Sequence, residues 1–308
     1  MSDTKISLLG ASGSIGKTLV NLFNIKKYKN INLYVRNVKK MRDFISQNNI
    51  NNDFSVYEIG DFENHSHEVI INAVGVSSPK KLENCGDLLF RITEGIDNRI
   101  LSYLEKKPKS LYINFSSGAI YNGNFCEEVG KRTSSSYPVN NLDSQHMYSI
   151  VKLNSEAKHR CLPELNIVDL RVFSFFTRFV NLNSGFFMAQ AINSIRNNSL
   201  FEVTSEDIVR DYVHPLDLMA LIELCINSFE LNTAFDVVSA RPVKKMEILE
   251  VLHKKYGLKY KINQEMSVHN ASGDKNVYFS GFNRASEIGY FPKYTSVSVI
   301  KDEAKFFL

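Results

Sequence analysis

The glycine-rich segment at residues 10–16 is the feature that most constrains how this chain can fold. It reads GASGSIG, follows an apolar run of strand length, and opens a segment with helical periodicity. In a parallel β-α-β unit, glycines at this spacing allow a tight turn and let the backbone approach a pyrophosphate. The N-terminus of the following helix attracts the phosphate charge. The sequence therefore predicts a dinucleotide-binding loop made by Gly10, Ser12, Gly13, Ser14, Ile15 and Gly16.

Short apolar runs alternate with longer segments of helical period over the first 170 residues. The runs are rich in β-branched and aromatic residues and are apolar on both faces, as in strands that are covered by helices on each side. This alternation predicts an α/β fold with a Rossmann-type, doubly wound parallel sheet. Predicted strands occupy 5–10, 31–35, 54–59, 69–74, 110–115 and 166–171, and predicted helices occupy 14–25, 39–48, 82–106 and 143–162.

The regular alternation of predicted strands and helices ends after residue 171. The elements predicted beyond it are shorter and less regularly spaced. Helices are predicted at 184–197, 215–229 and 244–256, and strands at 200–203 and 234–238. A tail of this size is too short for a second large domain. We therefore predict a nucleotide-binding domain over residues 1–171, to which segments near 209–240 return, and a small α/β substrate lobe formed mainly by residues 172–308.

Composition excludes several classes of function. The net charge of +4 is spread over mixed-sign sequence without a basic stripe, which disfavours nucleic-acid binding. No apolar run approaches the roughly 20 residues of a membrane-spanning helix, and the N-terminus does not resemble a signal peptide. The four cysteines are far apart, without the spacing of a disulfide framework or a metal site. We expect a cytoplasmic protein without a bound metal.

Two tyrosines are followed four positions later by a lysine, which is about what the 14 tyrosines and 25 lysines would produce by chance. The pairs are Tyr103 with Lys107, and Tyr148 with Lys152. In either pair the two side chains would lie on one face of a helix. The pattern alone does not decide between them, so the choice depends on the rest of the chain.

The choice between the two tyrosine-lysine pairs rests on five short segments of the sequence. GASGSIGK at 10–17, FSSGAIYNG at 115–123, YSIVK at 148–152, LRVF at 170–173 and RDYVHPLDL at 210–218 occur in the order and approximate spacing of the extended short-chain dehydrogenase/reductases. The chain thus resembles the nucleotide-sugar epimerases, dehydratases and 4-ketoreductases over almost its whole length. The resemblance selects Tyr148, because no hydroxyl pair at the end of a strand precedes Tyr103.

The resemblance implies three catalytic residues, Ser117, Tyr148 and Lys152. Hydride transfer at a carbon that bears oxygen needs a positioned acid or base for the proton on that oxygen. A phenol is a weak base near neutral pH unless a nearby cation stabilises the phenolate, and Lys152 would supply that charge. Lys152 would also hold the nicotinamide ribose. Ser117 would orient the substrate oxygen, while Ser116 would face the cofactor.

Further cofactor contacts follow from the same resemblance. Asp61 and Phe62 match the pair that contacts adenine, and the turn Ala73, Val74 and Gly75 would lie beneath the cofactor. Arg36 and Asn37 follow the second strand, where an acid usually selects NAD and a cation accommodates the 2′-phosphate of NADP. The alternative for Arg36 is an ordinary surface arginine. NADP(H) is therefore favoured over NAD(H) as cofactor.

The residues expected to contact the substrate match the family pattern less closely than the cofactor-binding residues do. Arg210 matches the arginine that grips the diphosphate of a nucleotide sugar, although a structural salt bridge is an equally good interpretation. Dehydratases carry an Asp-Glu pair where this chain has Gly118 and Ala119, so dehydration is disfavoured. Ser174 lies in an altered sugar-contacting loop. The leading hypothesis is an NADP-linked 4-ketoreductase acting on a nucleotide-activated deoxysugar.

Two alternatives remain open at this stage. An epimerase that retains NAD would share every catalytic residue. A non-catalytic dinucleotide-binding regulator would share the fold, although the presence of Ser117, Tyr148 and Lys152 argues against it. By analogy with the family, we also expect a homodimer that pairs the helices at 82–106 and 143–162.

Overall fold

The computed structural model of the protein describes residues 4–50, 53–76, 78–122, 125–228, 230–264 and 275–308. Its centre is a seven-stranded, entirely parallel sheet in the order β3-β2-β1-β4-β5-β6-β9. The strands are β1 (Ile6–Leu9), β2 (Ile31–Val35), β3 (Ser55–Glu58), β4 (Val69–Asn72), β5 (Leu111–Ser117), β6 (Ile167–Val172) and β9 (Asn232–Val237). The predicted fold class is confirmed.

Helices cover both faces of this sheet, which explains why its central strands are apolar on both sides. They are α1 (Ser14–Ile25), α2 (Val38–Gln47), α3 (Pro79–Leu82), α4 (Leu88–Lys106), α5 (Ser144–Arg160) and α7 (Pro215–Asn227). Strand order reverses between β1 and β4, and in open α/β sheets the crevice at such a point binds ligands. The glycine loop lies at this crevice.

The segment predicted as one helix over 82–106 is two helices, α3 and α4. Residues 83–87 separate them, and Gly86 there has a φ of +49°. This left-handed conformation favours glycine and interrupts regular helix geometry. The prediction of a continuous helix was therefore wrong at its N-terminal end.

The rest of the chain forms a small lobe with its own apolar core, which includes Phe176, Ile192 and Leu249. Its elements are α6 (Phe187–Arg196), β7 (Phe201–Val203), β8 (Val209–Arg210), β10 (Val243–Lys244), α8 (Lys245–Tyr256), β11 (Tyr260–Ile262), β12 (Val277–Tyr278) and α9 (Ser296–Ala304). Strands β10, β8 and β12 form one small sheet, and β11 pairs with β7 in another.

Two later elements return to the large sheet. Strand β9 pairs with β6 along its full length, and α7 packs against α1. The segment near 209–240 was predicted to return in this way. The domain boundary near residue 172 stays a prediction. No helix in the described part of the chain is both long and apolar enough to cross a lipid bilayer.

Candidate active site

The glycine loop has two positions where only glycine fits. Gly10 has a φ of +77°, and a Cβ there would lie 2.7 Å from the carbonyl carbon of Ala73. A Cβ on Gly16 would lie 2.3 Å from the carbonyl oxygen of Gly10. These contacts bring β1, the loop, α1 and the turn after β4 close together. Gly10 and Gly16 therefore shape the loop through its own packing.

Gly13 differs from its neighbours, because a Cβ there would meet only the Gly10 carbonyl oxygen, at 3.4 Å. Gly13 is also the N-cap of α1, with no side-chain cap hydrogen bond and no acidic residue in the first turn. The first N–H groups of a helix have no partner within the helix and attract an anion. The open backbone at Gly13 thus leaves room for the close approach of a pyrophosphate, and the contact itself stays a prediction.

The predicted cofactor turn at 73–75 lies beside Lys152. The ammonium nitrogen of Lys152 donates to the carbonyl oxygen of Phe115 at 2.8 Å and would lie 3.7 Å from a Cβ on Gly75. The side chain of Asn72 supports the turn, because its Oδ1 accepts the N–H of Val74 at 3.0 Å. Burial lowers the pKa of Lys152, while the carboxylates of Asp97, Asp169 and Glu156 oppose that effect.

Tyr148 and Ser117 meet at the carboxyl end of β5. Burial raises the pKa of Tyr148, and a hydrogen bond with Ser117 acts in the opposite direction. The sequence analysis expected Lys152 to lower this pKa, but the net shift in the structure is upward. A phenol with a raised pKa keeps its proton at neutral pH, so Tyr148 holds the proton that a donor needs, although burial makes it a weaker acid. The structure brings Ser117, Tyr148 and Lys152 together in one place.

Ser117 is fixed by the 3-10 turn that it caps, at residues 118–121. Its hydroxyl accepts the N–H of Ala119 at 3.2 Å and lies 3.3 Å from the hydroxyl of Tyr278. Gly118 follows at a position where a Cβ would lie 2.4 Å from the ring of Phe173. The ring of Phe173 therefore occupies the space that a larger residue at 118 would need.

Ser116 faces the protein interior rather than an open cleft. Its hydroxyl donates to Glu156 Oε1 at 2.5 Å, and Arg171 pairs with the same carboxylate at 2.6 Å. Arg171 also donates to the hydroxyl of Tyr121, which in turn donates to Asp236 at 3.0 Å. This network ties β5, β6 and β9 to α5. The side chain of Ser116 is thus occupied by the network, and its role toward a cofactor stays a prediction.

The remaining residues predicted to contact the cofactor follow β2 and β3, the strands after which the sequence predicted them. Arg36 is exposed, and Asn37 caps α2 by accepting the N–H of Lys40 at 2.9 Å. Asp61 lies in the 3-10 turn at 59–64. Phe62 is completely buried and stacks on His67 with ring centroids 4.3 Å apart. The side chain of Phe62 is therefore part of the core, and its contact with adenine stays a prediction.

Arg210 lies on β8 with its guanidinium turned toward carbonyl groups. It donates to the carbonyl oxygens of Val209 at 2.8 Å and Lys275 at 2.5 Å. No carboxylate in the described residues forms a salt bridge with it, so the salt-bridge interpretation is not supported there. Burial lowers the pKa of Arg210. Ser174, the other predicted substrate residue, forms a β-bridge with Tyr212 next to this strand.

Sequence reasoning missed two residues of this site, Lys275 and Tyr278. The Tyr278 hydroxyl reaches Ser117, and the Lys275 ammonium lies 4.5 Å from the centre of the Tyr278 ring. Burial, together with the charge of Arg210, lowers the pKa of Lys275 to about 7. The tail has no clear helical or strand periodicity. The only signal of a strand there was the apolar pair Val277-Tyr278, which follows a glycine and an acidic residue.

The competing pair, Tyr103 and Lys107, lies elsewhere. Both residues line an open cleft of about 650 Å³ between α4 and the 3-10 turn at 59–64. The Tyr103 hydroxyl accepts the N–H of His67 at 2.7 Å, so this tyrosine has a structural partner. Tyr103 therefore has a structural contact away from the candidate catalytic residues.

The stretch NHSH at 64–67 predicts a polar loop rather than a metal site, but His67 in this stretch is buried, so that interpretation was wrong for it. The side chain is 3% exposed, with Nδ1 2.7 Å from the Ser7 hydroxyl and Nε2 2.8 Å from the Phe62 carbonyl oxygen. Burial lowers its pKa to about 4. His67 is therefore a neutral core residue. Within the described residues no group of three or more His, Cys, Asp or Glu side chains could hold a metal ion.

Comparisons with known proteins agree with this geometry. The sequence model of the NAD dependent epimerase/dehydratase family matches residues 6–238. No curated protein matches the chain. Among solved structures, UDP-glucose 4-epimerase from Thermotoga maritima, crystallised with UDP-glucose, is 16% identical, with 99% of this chain and 98% of that chain covered and a TM-score of 0.80.

Two further solved structures extend the likeness. UDP-glucuronic acid 4-epimerase from Bacillus cereus, in complex with UDP-glucuronic acid and NAD, is 14% identical, with 99% of both chains covered and a TM-score of 0.79. The dTDP-glucose 4,6-dehydratase from Bacillus anthracis, in complex with NAD, is 13% identical, with 99% of this chain and 96% of that chain covered and a TM-score of 0.75. At such identities the likeness shows a shared fold.

Proposed function

Because this chain belongs to the NAD-dependent epimerase/dehydratase family, we propose that it is an NAD(P)-dependent oxidoreductase of a nucleotide-activated sugar that reduces a 4-keto group. The observation that carries the proposal is the meeting of Ser117, Tyr148 and Lys152 at the carboxyl edge of the sheet, beside the glycine loop. Ligands of open α/β sheets bind at this edge. Ser117, Tyr148, Lys152 and the loop together provide the groups that a carbonyl reduction needs.

In the proposed reaction, the glycine loop and Lys152 would hold a nicotinamide dinucleotide, which would supply a hydride for the keto carbon. Tyr148 donates its phenolic proton to the carbonyl oxygen, so that one hydride and one proton give the secondary alcohol. Ser117 orients the oxygen, and the Lys152 ammonium stabilises the phenolate that remains. Tyr148 enters the reaction protonated, as a tyrosine does at neutral pH.

The nucleotide-sugar part of the proposal is supported by two basic side chains against the ring of Tyr278, whose hydroxyl lies 3.3 Å from that of Ser117. Arg210 and Lys275 are directed toward the face of the lobe that carries Tyr278, and no salt bridge neutralises either of them within the described residues. An ammonium and a guanidinium at low solvent exposure are stabilised by an anionic ligand. The diphosphate of a nucleotide sugar supplies such an anion.

The geometry around residue 118 supports reduction over dehydration. Gly118 stands where dehydratases carry an acid, and the ring of Phe173 fills the adjacent space. A carboxylate could not be accommodated there without moving Phe173. The position of Arg36, exposed at the end of β2, supports NADP(H) as the preferred cofactor.

The second candidate is an epimerase that retains NAD and passes the hydride out and back. The solved structures quoted above favour it, since two are epimerases and one of these holds NAD. It would use the same catalytic residues. It differs in that no net oxidation of the cofactor occurs.

Stoichiometry distinguishes the two candidates. Purified protein is mixed with NADPH and a nucleotide-linked 4-keto-deoxysugar, and consumption of NADPH at 340 nm is compared with the alcohol formed. A one-to-one ratio is the expected result. Turnover of a nucleotide sugar without added cofactor would instead establish the epimerase.

A pair of phenylalanine variants tests the assignment of Tyr148. Tyr148→Phe should lower kcat by roughly 10²- to 10⁴-fold, the usual contribution of a general acid. Tyr103→Phe is the matched control, because Tyr103 has the same spacing to a lysine but lies at the separate cleft. Equal loss in both variants would disprove the catalytic role of Tyr148.

A further inference from the structure

A closed ring of six hydrogen-bonded side chains is buried beneath the candidate active site. Its members come from β4, β5, β6, α4 and α5, and each is at most 4% exposed. They are, in order around the ring, Asn72, Tyr112, Asp97, His159, Asp169 and Asn114. We refer to these six residues as the buried ring. The proposed reaction uses none of them directly.

The direction of each hydrogen bond in the ring is determined by its donors. Asn72 Nδ2 donates to the Tyr112 hydroxyl at 3.0 Å, and that hydroxyl donates to Asp97 Oδ1 at 3.0 Å. Asn114 Nδ2 donates to Asp169 Oδ1 at 2.7 Å. Both chains of hydrogen bonds therefore run toward a carboxylate.

His159 joins the two carboxylates. Its Nε2 lies 2.8 Å from Asp97 Oδ1, and its Nδ1 lies 2.9 Å from Asp169 Oδ1. A carboxylate only accepts hydrogen bonds, so each ring nitrogen must carry a proton to make its bond. The geometry thus requires an imidazolium. A neutral imidazole would set a lone pair against one of the carboxylates.

The charges around His159 agree with this assignment. Asp97 on α4 and Asp169 on β6 face the imidazole, while the Tyr112 ring of β5 packs edge-on against it at 5.3 Å. On the same helix, Lys158 pairs with Asp97 and Arg160 pairs with Asp169. Burial alone would lower the pKa of His159, but the two carboxylates raise it to about 9.

The ring connects two parts of the candidate active site. On one side of the ring, Asn72 Oδ1 accepts a hydrogen bond from the N–H of Val74 in the predicted cofactor turn. On the other side, His159 lies seven residues after Lys152 on α5, and both side chains are buried on the face that packs against the sheet. The same carboxylates, Asp97 and Asp169, also counter the effect of burial on Lys152.

We propose that His159 is a positioning residue: as an imidazolium it closes the buried ring, which holds the cofactor turn at Val74 against the helix that carries Tyr148 and Lys152. Dinucleotide binding and protonation of His159 are then coupled. The inference rests on the proposed function, because it takes the turn at 73–75 to be a dinucleotide-binding element. It assigns a role to residues that lie beneath the reacting groups and touch neither cofactor nor substrate.

The experiment is an NMR titration of the intact protein with labelled histidine, with and without saturating NADP⁺. His159 is identified as the histidine with two slowly exchanging ring N–H protons, which an imidazolium between two buried carboxylates should show. Because coupling between two equilibria is reciprocal, its pKa should rise by about half a unit on binding, which equals about threefold weaker binding once His159 is deprotonated. The control is His253 in the lobe, which contacts the Leu258 carbonyl oxygen and whose ring signals should be the same with and without NADP⁺.

A variant separates the ring from a simple charge effect. Asn72→Leu keeps the size of the side chain but removes its bonds to Val74 and Tyr112, so the pKa of His159 should stay raised while the shift on binding is lost. Tyr112→Phe, which removes a single hydroxyl, is the second variant in case Asn72→Leu does not fold, and it should reduce the shift.

Three results would overturn the inference. One is an unchanged His159 pKa in wild-type protein that has bound NADP⁺, and another is a shift of full size in both variants, which would reflect the charge of the ligand alone. The third is the absence of any dinucleotide binding, which would disprove the proposed function and this inference with it. Binding without a shift disproves only the inference.

Discussion

The ring of Phe173 lies 2.4 Å from the position that a Cβ atom on Gly118 would occupy. Gly118 directly follows the candidate catalytic residue Ser117, so the packing of Phe173 fixes the backbone at the reacting end of β5. The relationship links a residue after β6 with one after β5. It also explains in steric terms why this chain has glycine at that position.

Gly118→Ala should therefore destabilise the protein by about 1–3 kcal/mol, the usual cost of adding a methyl group to a packed site. It should also lower kcat, because Ser117 moves with the turn. The matched control is Gly95→Ala in α4, where a Cβ meets nothing within 4 Å and should stabilise the helix by about 1 kcal/mol. Denaturant unfolding and steady-state rates measure both effects, and equal stability of the two variants would contradict the packing argument.

The glycine loop gives a second prediction, in which neighbouring glycines behave differently. Gly10→Ala and Gly16→Ala should each lower the free energy of unfolding by about 1–3 kcal/mol, because a Cβ meets backbone atoms within 3 Å. Gly13→Ala should change stability by less than about 1 kcal/mol but weaken dinucleotide binding about tenfold or more. Chemical denaturation and fluorescence titration with NADPH distinguish these outcomes. Tight binding by Gly13→Ala would show that the backbone at Gly13 does not meet the pyrophosphate.

Sequence reasoning could predict the sheet and the glycine loop because both depend on local signals. The helical and strand periods, and the spacing of Gly10, Gly13 and Gly16, are contained in short windows. The spacing of Tyr148 and Lys152 is local too, but Tyr103 and Lys107 share it, so the choice between the pairs depended on the other sequence segments. The interruption at Gly86 was missed because one positive φ angle leaves the apolar period around it almost unchanged.

The rest of the site depends on contacts between distant segments, which periodicity does not report. Tyr278 reaches Ser117 from a part of the chain 161 residues away, and Lys275 lies against the Tyr278 ring. The buried ring brings together five secondary-structure elements. In sequence, Asp97 and His159 look like ordinary polar residues of two surface helices, and only the packing of α4 against α5 shows that they are buried.

The shifted pKa values of two buried histidines predict that the free energy of unfolding has a maximum at an intermediate pH. The folded-state pKa of His159 is raised to about 9 from 6.5, so its contribution is fully present below pH 6.5 and is lost as the pH rises through 9. The pKa of His67 is lowered to about 4, so its contribution is present above pH 6.5 and is lost as the pH falls toward 4. Each contribution is at most about 3 kcal/mol.

Denaturant unfolding between pH 4 and pH 10 measures both limbs of the stability profile, the fall at acidic pH and the fall at alkaline pH. His159→Gln should flatten the fall in stability between pH 6.5 and pH 9, and His67→Gln should flatten the fall below pH 6.5. His253→Gln should leave both limbs unchanged. An alkaline limb that persists in His159→Gln would show that another group is responsible for it.

Arg210, which forms no salt bridge with any residue that the structure describes, gives a prediction about the substrate. Arg210→Met should raise the KM for a nucleotide-sugar substrate about tenfold or more while the affinity for NADPH stays within about twofold, since the diphosphate is contacted from the lobe. Arg241→Met is the control, because Arg241 is exposed and already pairs with Glu247 at 2.7 Å. Steady-state kinetics with each ligand varied in turn provide the measurement. An equal loss of affinity for both ligands would place Arg210 outside a substrate-specific role.

The exposed position of Arg36 leads to a prediction about cofactor choice. A guanidinium that contacts the 2′-phosphate of NADP contributes binding energy that NAD cannot use, because NAD has a hydroxyl group there. Arg36→Ala should therefore raise the KM for NADPH about tenfold and change the KM for NADH by less than about twofold. Arg42→Ala, an exposed arginine on the following helix, should change neither. The ratio of kcat/KM for the two cofactors, measured in all three proteins, decides the point: an unchanged ratio in Arg36→Ala would make Arg36 an ordinary surface residue and leave NAD as the better candidate.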